Sequence, residues 1–352
     1  MKLLDESFTL PPEMSALGGN GEKRGYPLYI TAKRYHVQEL EVLQQDPEAI
    51  TLLAFHSTSF HKETWEPTLE ALFDASVANG LDKVKIREVW AVDCPNHGHA
   101  GILNREMLKR KEFETFFGCE GYAIAVHHFL LAAPTCFGVD FSKKRLVGLG
   151  HSLGANGLLL LQALQPIFPF LSLIIVEPVV EPGDGHDLDA LRQKLVGNAI
   201  NRKSEWRSRD EAFLYLKEDS RTKRWDEKVM KAFVKHAIGE SPSGTVTLAC
   251  MPQQERIMYL DMPGATRPVG ELTRLCPILP VHLIIGLSND FIPRVVHDRL
   301  IDPTSGRTFA SVSEVPQVGH LMPQEIPKKL GILVYELLTL VTKRPEKLRA
   351  MY

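Results

Sequence analysis

The chain has 352 residues, 44% of them hydrophobic and 24% charged, with 41 basic against 43 acidic side chains and a formal net charge of -2. This length suits one large domain with an insertion, or two modest ones, and the apolar content is enough for a sizeable core. The near balance of charge excludes a polyanion-binding role of the usual kind, whether for nucleic acid or for a polybasic membrane surface.

The opening "MKLLDESFTLPPEM" carries Asp5 and Glu6 and soon meets prolines, so it lacks a signal-peptide apolar stretch. Strands are expected over 26–37 and 49–56, a helix over 62–77, a strand over 85–95 and a helix over 120–133. A strand over 144–150 feeds a helix over 153–165, and near-continuous apolar strands follow at 171–180 and 280–290. A weaker strand at 307–315 and an amphipathic helix at 326–344 close the series. Continuous apolar strands alternating with helices predict an α/β fold, a mostly parallel sheet covered on both faces. The stretch 186–239 departs from this pattern, reading as polar, charged helices with no buried strand and with scattered aromatics. It interrupts the strand series, which then resumes. The expected organisation is therefore core (1–180), helical cap (181–275) and core again (276–352), with the cap over the catalytic edge of the sheet.

No stretch is apolar for long enough to span a bilayer, since 146–180 is broken by Gly, Pro and Glu. Five widely spaced cysteines without a CxxC favour reduced thiols, and the final "AMY" is not a peroxisomal SKL-type address. A cytosolic protein is expected. His97 and His99 flank Gly98, but no third ligand has suitable spacing, so they read as turn residues. Neither a metal nor a cofactor is expected.

At the end of the 144–150 strand stands Gly150-His151-Ser152-Leu153-Gly154. Glycines on both sides of a serine suit a strand-to-helix turn too tight for side chains, with the hydroxyl held at its apex. A serine hydroxyl needs a base, itself oriented by an acid. His320 lies after the last strand, and Asp290 ends the 280–290 strand, giving Ser152, Asp290 and His320 in that order. Glu177, after the preceding strand, is the competing acid. Asp290 is the expected orienting acid, and Glu177 is expected to line the cavity or to serve the structure. The oxyanion of acyl attack needs two backbone donors, assigned to the N–H groups of Leu153 and Thr58.

These residues resemble the α/β-hydrolase superfamily, and "VDCPNHGHA" (92–100) is similar to its Asp-x-Pro-Gly-His-Gly-x-Ser turn. "HSTSFHKETWEP" (56–67), "CPNHGHAGILNR" (94–105) and "EPVVEP" (177–182) resemble, more narrowly, a fungal group that includes a peroxisomal lipase and toxin-pathway hydrolases. The resemblance implies an α/β-hydrolase fold and a lipophilic metabolite or acyl chain as substrate. The residues themselves imply hydrolysis of an ester, lactone or thioester through an acyl-enzyme. His56, Ser57, His151, Glu177, Trp206, Trp225 and Phe233 are the candidate substrate-lining residues. The competing reading is a hydrolase-fold binding protein, or a lyase or cyclase, using the same pocket.

Overall fold

A computed structural model describes residues 1–13, 25–114, 117–241 and 243–341. The apolar runs become the centre of an eight-stranded sheet ordered β1-β2-β4-β3-β5-β6-β10-β11. Its strands are β1 (Leu3–Leu10), β2 (Ile30–Val37), β3 (Ile50–Phe55), β4 (Ile86–Val92), β5 (Arg145–His151), β6 (Phe170–Val176), β10 (Val281–Gly286) and β11 (Ser311–Val315). From β4 to β11 every pairing is parallel, while β1 and β2 add an antiparallel edge.

The α-helices of eight or more residues are α1 (Glu66–Asn79), α2 (Cys119–Phe137), α3 (Leu153–Leu161), α4 (Asp189–Asn201), α5 (Arg209–Glu218), α6 (Glu227–His236), α7 (Pro252–Leu260), α8 (Met262–Leu275), α9 (Arg294–Ile301) and α10 (Pro327–Val341). Successive strand residues point to opposite faces, and the two faces bury different clusters. Leu53 and Phe55 of β3, with Leu173 and Ile175 of β6, pack with α2 and α3. Leu52, Ala54, Ile174 and Val176 pack with α1 and α10 on the other face. Each such leucine, isoleucine, valine or phenylalanine, fully buried, contributes about 1.5–3 kcal/mol from loss of apolar surface. This double burial explains why the central strands show no polar alternation in sequence.

The edges behave differently. β1 is paired on one side alone and half of its residues are exposed, which is why its mixed "LLDESFTL" gave no continuous apolar signal. The insertion also departs from the expectation of helices alone. It contains a three-stranded antiparallel sheet, β7 (Glu205–Trp206), β9 (Val246–Leu248) and β8 (Ile238–Glu240) in spatial order. These strands have two or three residues each, below the length at which periodicity is visible. Trp206 of β7 and Phe233 of α6 pack with Phe60 of the core in a separate apolar cluster. The helices α7 and α8 lean on the core instead. Gln254 of α7 donates to the carbonyls of Leu108 (3.0 Å) and Phe113 (3.1 Å), and Asn156 of α3 donates to Gly264 O of α8 (2.8 Å). Among the described residues no helix is long and apolar enough to cross a membrane. The final "AMY" lies outside the described residues.

Candidate active site

Ser152 stands between β5 and α3 with φ 57° and ψ -130°, left-handed backbone that a non-glycine residue adopts at a cost of about 1–3 kcal/mol. Its neighbours explain how the chain tolerates this. A Cβ on Gly150 would lie 2.6 Å from Ala155 Cα, and one on Gly154 only 2.3 Å from the His56 carbonyl oxygen. Both glycines are therefore required by close backbone approach, and the turn lifts the serine hydroxyl to the carboxyl end of the sheet. The Ser152 N–H donates to Val176 O at 2.9 Å, fixing the turn to the end of β6.

The Ser152 Oγ lies 2.9 Å from His320 Nε2, and His320 Nδ1 lies 3.2 Å from Glu177 Oε2. With Nδ1–H donating to the carboxylate, Nε2 is left to accept the serine hydroxyl. The expectation that Asp290 orients the ring is corrected here. Asp290 is an exposed residue, and its Oδ1 accepts the main-chain N–H of His320 at 3.1 Å. It holds the histidine's backbone and leaves the imidazole to Glu177. Because β6 lies between β5 and β10, an acid at its end stands beside the serine strand.

Glu177 is 1% exposed, has φ 48°, and is locked by its own N–H to Ile284 O (2.9 Å) and by Gly286 N–H to its Oε1 (2.6 Å). His297 Nε2 faces the same oxygen at 3.6 Å, an electrostatic contact longer than a hydrogen bond. Burial pushes the Glu177 carboxyl up, but the contacts with His297 and His320 outweigh it and hold the pKa at about 2. The acid is thus ionised throughout the neutral range. Sequence reading placed His297 nowhere, and one more signal was available for Glu177. It is the lone ionisable residue ending the apolar run "LSLIIVE".

Two further contacts set the imidazole. The Phe291 ring lies flat on it, with centroids 4.1 Å apart and planes within 6°. His151 donates from Nε2 to the His320 carbonyl at 2.8 Å, and burial together with the neighbouring His320 lowers its pKa to about 3. His151 is a neutral prop behind the site. Phe291 gave no sequence signal, since an aromatic after a strand end is ordinary.

Thr58 and Leu153 line the same cavity as Ser152. His56 Nε2 accepts the Cys94 N–H at 3.0 Å, so its Nδ1–H donates to the Ser57 carbonyl at 2.7 Å. Burial lowers its pKa to about 4, which keeps this neutral tautomer. A trans peptide points its C=O and N–H in opposite directions, so fixing the Ser57 carbonyl turns the Thr58 N–H away from His56. Among the described residues neither the Thr58 nor the Leu153 N–H meets an acceptor. Leu153 opens α3, where unpaired amides favour negative charge.

The hydroxyl faces a cavity of about 230 Å³. Leu191 and Leu195 of α4, Trp206, Trp225, Phe233 and Met258 supply much of its apolar wall. Ser57 lies on that wall too. His56, His151 and Glu177 do not, because their polar atoms are spent on main chain or on His320 behind it. His97 is likewise occupied, its Nε2 accepting the Ser59 N–H (2.9 Å) and its Nδ1 bonded to Asn96 Oδ1 (2.6 Å). Among the described residues no group of three or more His, Cys, Asp or Glu is arranged to hold a metal ion.

The arrangement sets a serine hydroxyl, an imidazole and a carboxylate in hydrogen-bond sequence, beside two amides that meet no acceptor among the described residues and an apolar chamber. The model of the Alpha/beta hydrolase family matches residues 52–330. A type I acyl-CoA thioesterase, mpaH of Penicillium brevicompactum, is 28% identical over 185 residues, 51% of this chain and 39% of that protein. The abhydrolase domain-containing protein AKT2 of Alternaria alternata is 25% identical over 222 residues, 54% of this chain and 82% of that one. The match thus spans well under two thirds of the thioesterase's length. Among solved structures, the peroxisomal alpha-beta-hydrolase Lpx1 of Saccharomyces cerevisiae superposes with a TM-score of 0.70 at 18% identity. That superposition covers 99% of this chain and 94% of the yeast protein, a likeness of fold.

Proposed function

The chain belongs to the alpha/beta hydrolase family, and on that premise we propose that it hydrolyses an ester or thioester of a lipophilic acid through a Ser152–His320–Glu177 relay. The observation that carries the proposal is the unbroken line from Ser152 Oγ to His320 Nε2 (2.9 Å) and from His320 Nδ1 to Glu177 Oε2 (3.2 Å).

In this reading Ser152 Oγ attacks the substrate carbonyl carbon as its proton passes to His320 Nε2. Glu177, already ionised, stabilises the imidazolium and fixes the tautomer that leaves Nε2 free. The carbonyl oxygen becomes an oxyanion held by the Thr58 and Leu153 N–H groups, a contribution of about 2.7–4 kcal/mol per donor in comparable sites. Collapse expels the alcohol or thiol, which takes the proton from His320. Water then attacks the acyl-enzyme by the same route and returns Ser152. Segment 181–275 acts as the cap, and its apolar wall receives the acyl chain while excluding bulk water. The acyl-CoA thioesterase among the fungal relatives supports a thioester among the candidate substrates.

The test is turnover of a panel of p-nitrophenyl esters and acyl-CoA thioesters from two to twelve carbons. Wild-type turnover that rises with chain length and vanishes in Ser152→Ala is the expected result. Equal turnover by the two proteins would overturn the proposal.

A further inference from the structure

A polar cluster in the cavity wall takes no part in the relay. Glu255 and Tyr259 lie one turn apart on α7, and Arg202 follows the end of α4. Glu255 and Tyr259 converge on Ser59, the residue after the proposed oxyanion donor Thr58, and Arg202 pairs with Glu255. Ser59 Oγ donates to Glu255 Oε1, and the Tyr259 hydroxyl lies 2.9 Å from the same Oγ. Glu255 is 3% exposed, and its second oxygen lies 2.8 Å from Arg202 Nη2. Ser59 has φ 75°, left-handed backbone that a serine holds only when its surroundings enforce it.

We propose that Glu255, Tyr259 and Arg202 brace the oxyanion loop through Ser59, so that the inserted segment sets the position of the Thr58 N–H. Ser59 is held from two sides. Its N–H is taken by His97 Nε2 at 2.9 Å, and its hydroxyl by α7. The two anchors are joined behind the loop, because Asn96 binds His97 Nδ1 through Oδ1 and donates to Gln254 of α7 through Nδ2 (3.3 Å). Arg202 compensates the buried Glu255 charge, which would otherwise be costly. With the Ser57 carbonyl fixed by His56 and Ser59 fixed by the brace, both peptides flanking Thr58 have one orientation. The three braces are positioning residues, acting through Thr58.

The inference rests on the oxyanion role given to Thr58 above, and the experiment separates the two. Glu255→Ala, Glu255→Gln, Ser59→Ala and Ser152→Ala are compared with wild type in the full-length chain. Each is assayed for kcat and KM on p-nitrophenyl butyrate, and for inhibition by an alkyl trifluoromethyl ketone and by its non-reactive methyl ketone. The trifluoromethyl ketone forms a tetrahedral oxyanion, and the methyl ketone reports ground-state binding. Glu255→Ala and Ser59→Ala are expected to lose about 10–100-fold in kcat, the scale of a donor displaced by a fraction of an ångström to one. Trifluoromethyl ketone affinity should fall in parallel, while KM and methyl ketone affinity hold within about threefold. Glu255→Gln keeps an acceptor oxygen and should recover part of the loss. Ser59→Ala leaves the Arg202–Glu255 pair intact, so it remains informative if Glu255→Ala fails to fold. A rise in KM at constant kcat would make the cluster a substrate contact and overturn the brace. Unchanged trifluoromethyl ketone affinity in Ser59→Ala would overturn it too. An active Ser152→Ala would instead overturn the underlying hydrolase reading.

Discussion

The two halves of the cavity wall treat buried polar groups in different ways. Directly behind the sheet side, the imidazoles of His56 and His151 are neutral and fastened to the carbonyls of Ser57 and His320. On the insertion side, an Arg202–Glu255 ion pair stands in a wall that also holds Trp206, Trp225 and Phe233. Main-chain anchoring gives the sheet side one geometry, set by strands that are themselves buried on both faces. The insertion side depends on side chains meeting side chains, which is more permissive of substitution. Changes near the sheet should therefore act on kcat, and changes in the aromatic wall on KM and chain-length preference. The Glu255–Ser59 brace is where the two regimes meet.

The largest expected effect is on the sheet side. Ser152→Ala should lower kcat by about 10³-fold or more, since triad members act as a unit. Its urea midpoint should stay near that of wild type, because the hydroxyl packs against nothing in the core. Residual turnover above a few per cent would remove the distinction between the two walls.

Phe291→Leu tests the flat ring over His320. An aromatic face over a forming imidazolium is worth about 1 kcal/mol, so kcat should fall about fivefold with KM nearly constant. The same ring also lines the cavity, and a KM effect alone would make it a substrate wall.

Trp225→Ala belongs to the insertion. Half-buried against Phe60 and Phe233, it should raise KM for octanoate and longer esters several-fold and leave acetate turnover within about twofold. An unchanged chain-length profile would detach the aromatic wall from substrate.

The remaining expected effect concerns stability against pH and leaves catalysis aside. Burial lowers the pKa of His56 to about 4 and that of His151 to about 3, below the ordinary imidazole value of 6.5. The unfolded chain therefore binds protons that the native protein refuses, and stability falls as pH drops below 6.5. Between pH 6.5 and 5 each contributes about 2 kcal/mol of that loss. Urea unfolding of His151→Gln across this range should show a shallower slope than wild type. An identical slope would mean that His151 is protonated in the native state.

Much of this site was legible in sequence because its determinants are local. Gly150 and Gly154 announce a tight turn, and the apolar runs before Ser152 and Glu177 announce strands buried on both faces. His320 was legible through its place after the last strand. The acid proposed for the relay was not, because Glu177 follows β6 directly and Asp290 lies in the loop after β10, and only distance decides between them. In the structure Asp290 reaches the main-chain N–H of His320, and Glu177 reaches Nδ1. The insertion's short strands and β1 were missed for a different reason. An exposed edge or a two-residue pairing needs no apolar periodicity, so none is written there. Ser59 was invisible for a third reason, since its left-handed backbone is imposed by partners 196 and 200 residues away.

The central claim is that Glu177 and His320 form one relay with Ser152, and paired amide variants of the two candidate acids test it most directly. Steady-state kcat/KM on one p-nitrophenyl ester would be measured for Glu177→Gln and Asp290→Asn over pH 5 to 9. The account predicts a loss of about 10³–10⁴-fold in Glu177→Gln, because an amide neither stabilises imidazolium nor enforces the correct tautomer. Asp290→Asn keeps an acceptor for the His320 N–H and should lose no more than several-fold. A severe loss in Asp290→Asn with near-normal activity in Glu177→Gln would contradict the account.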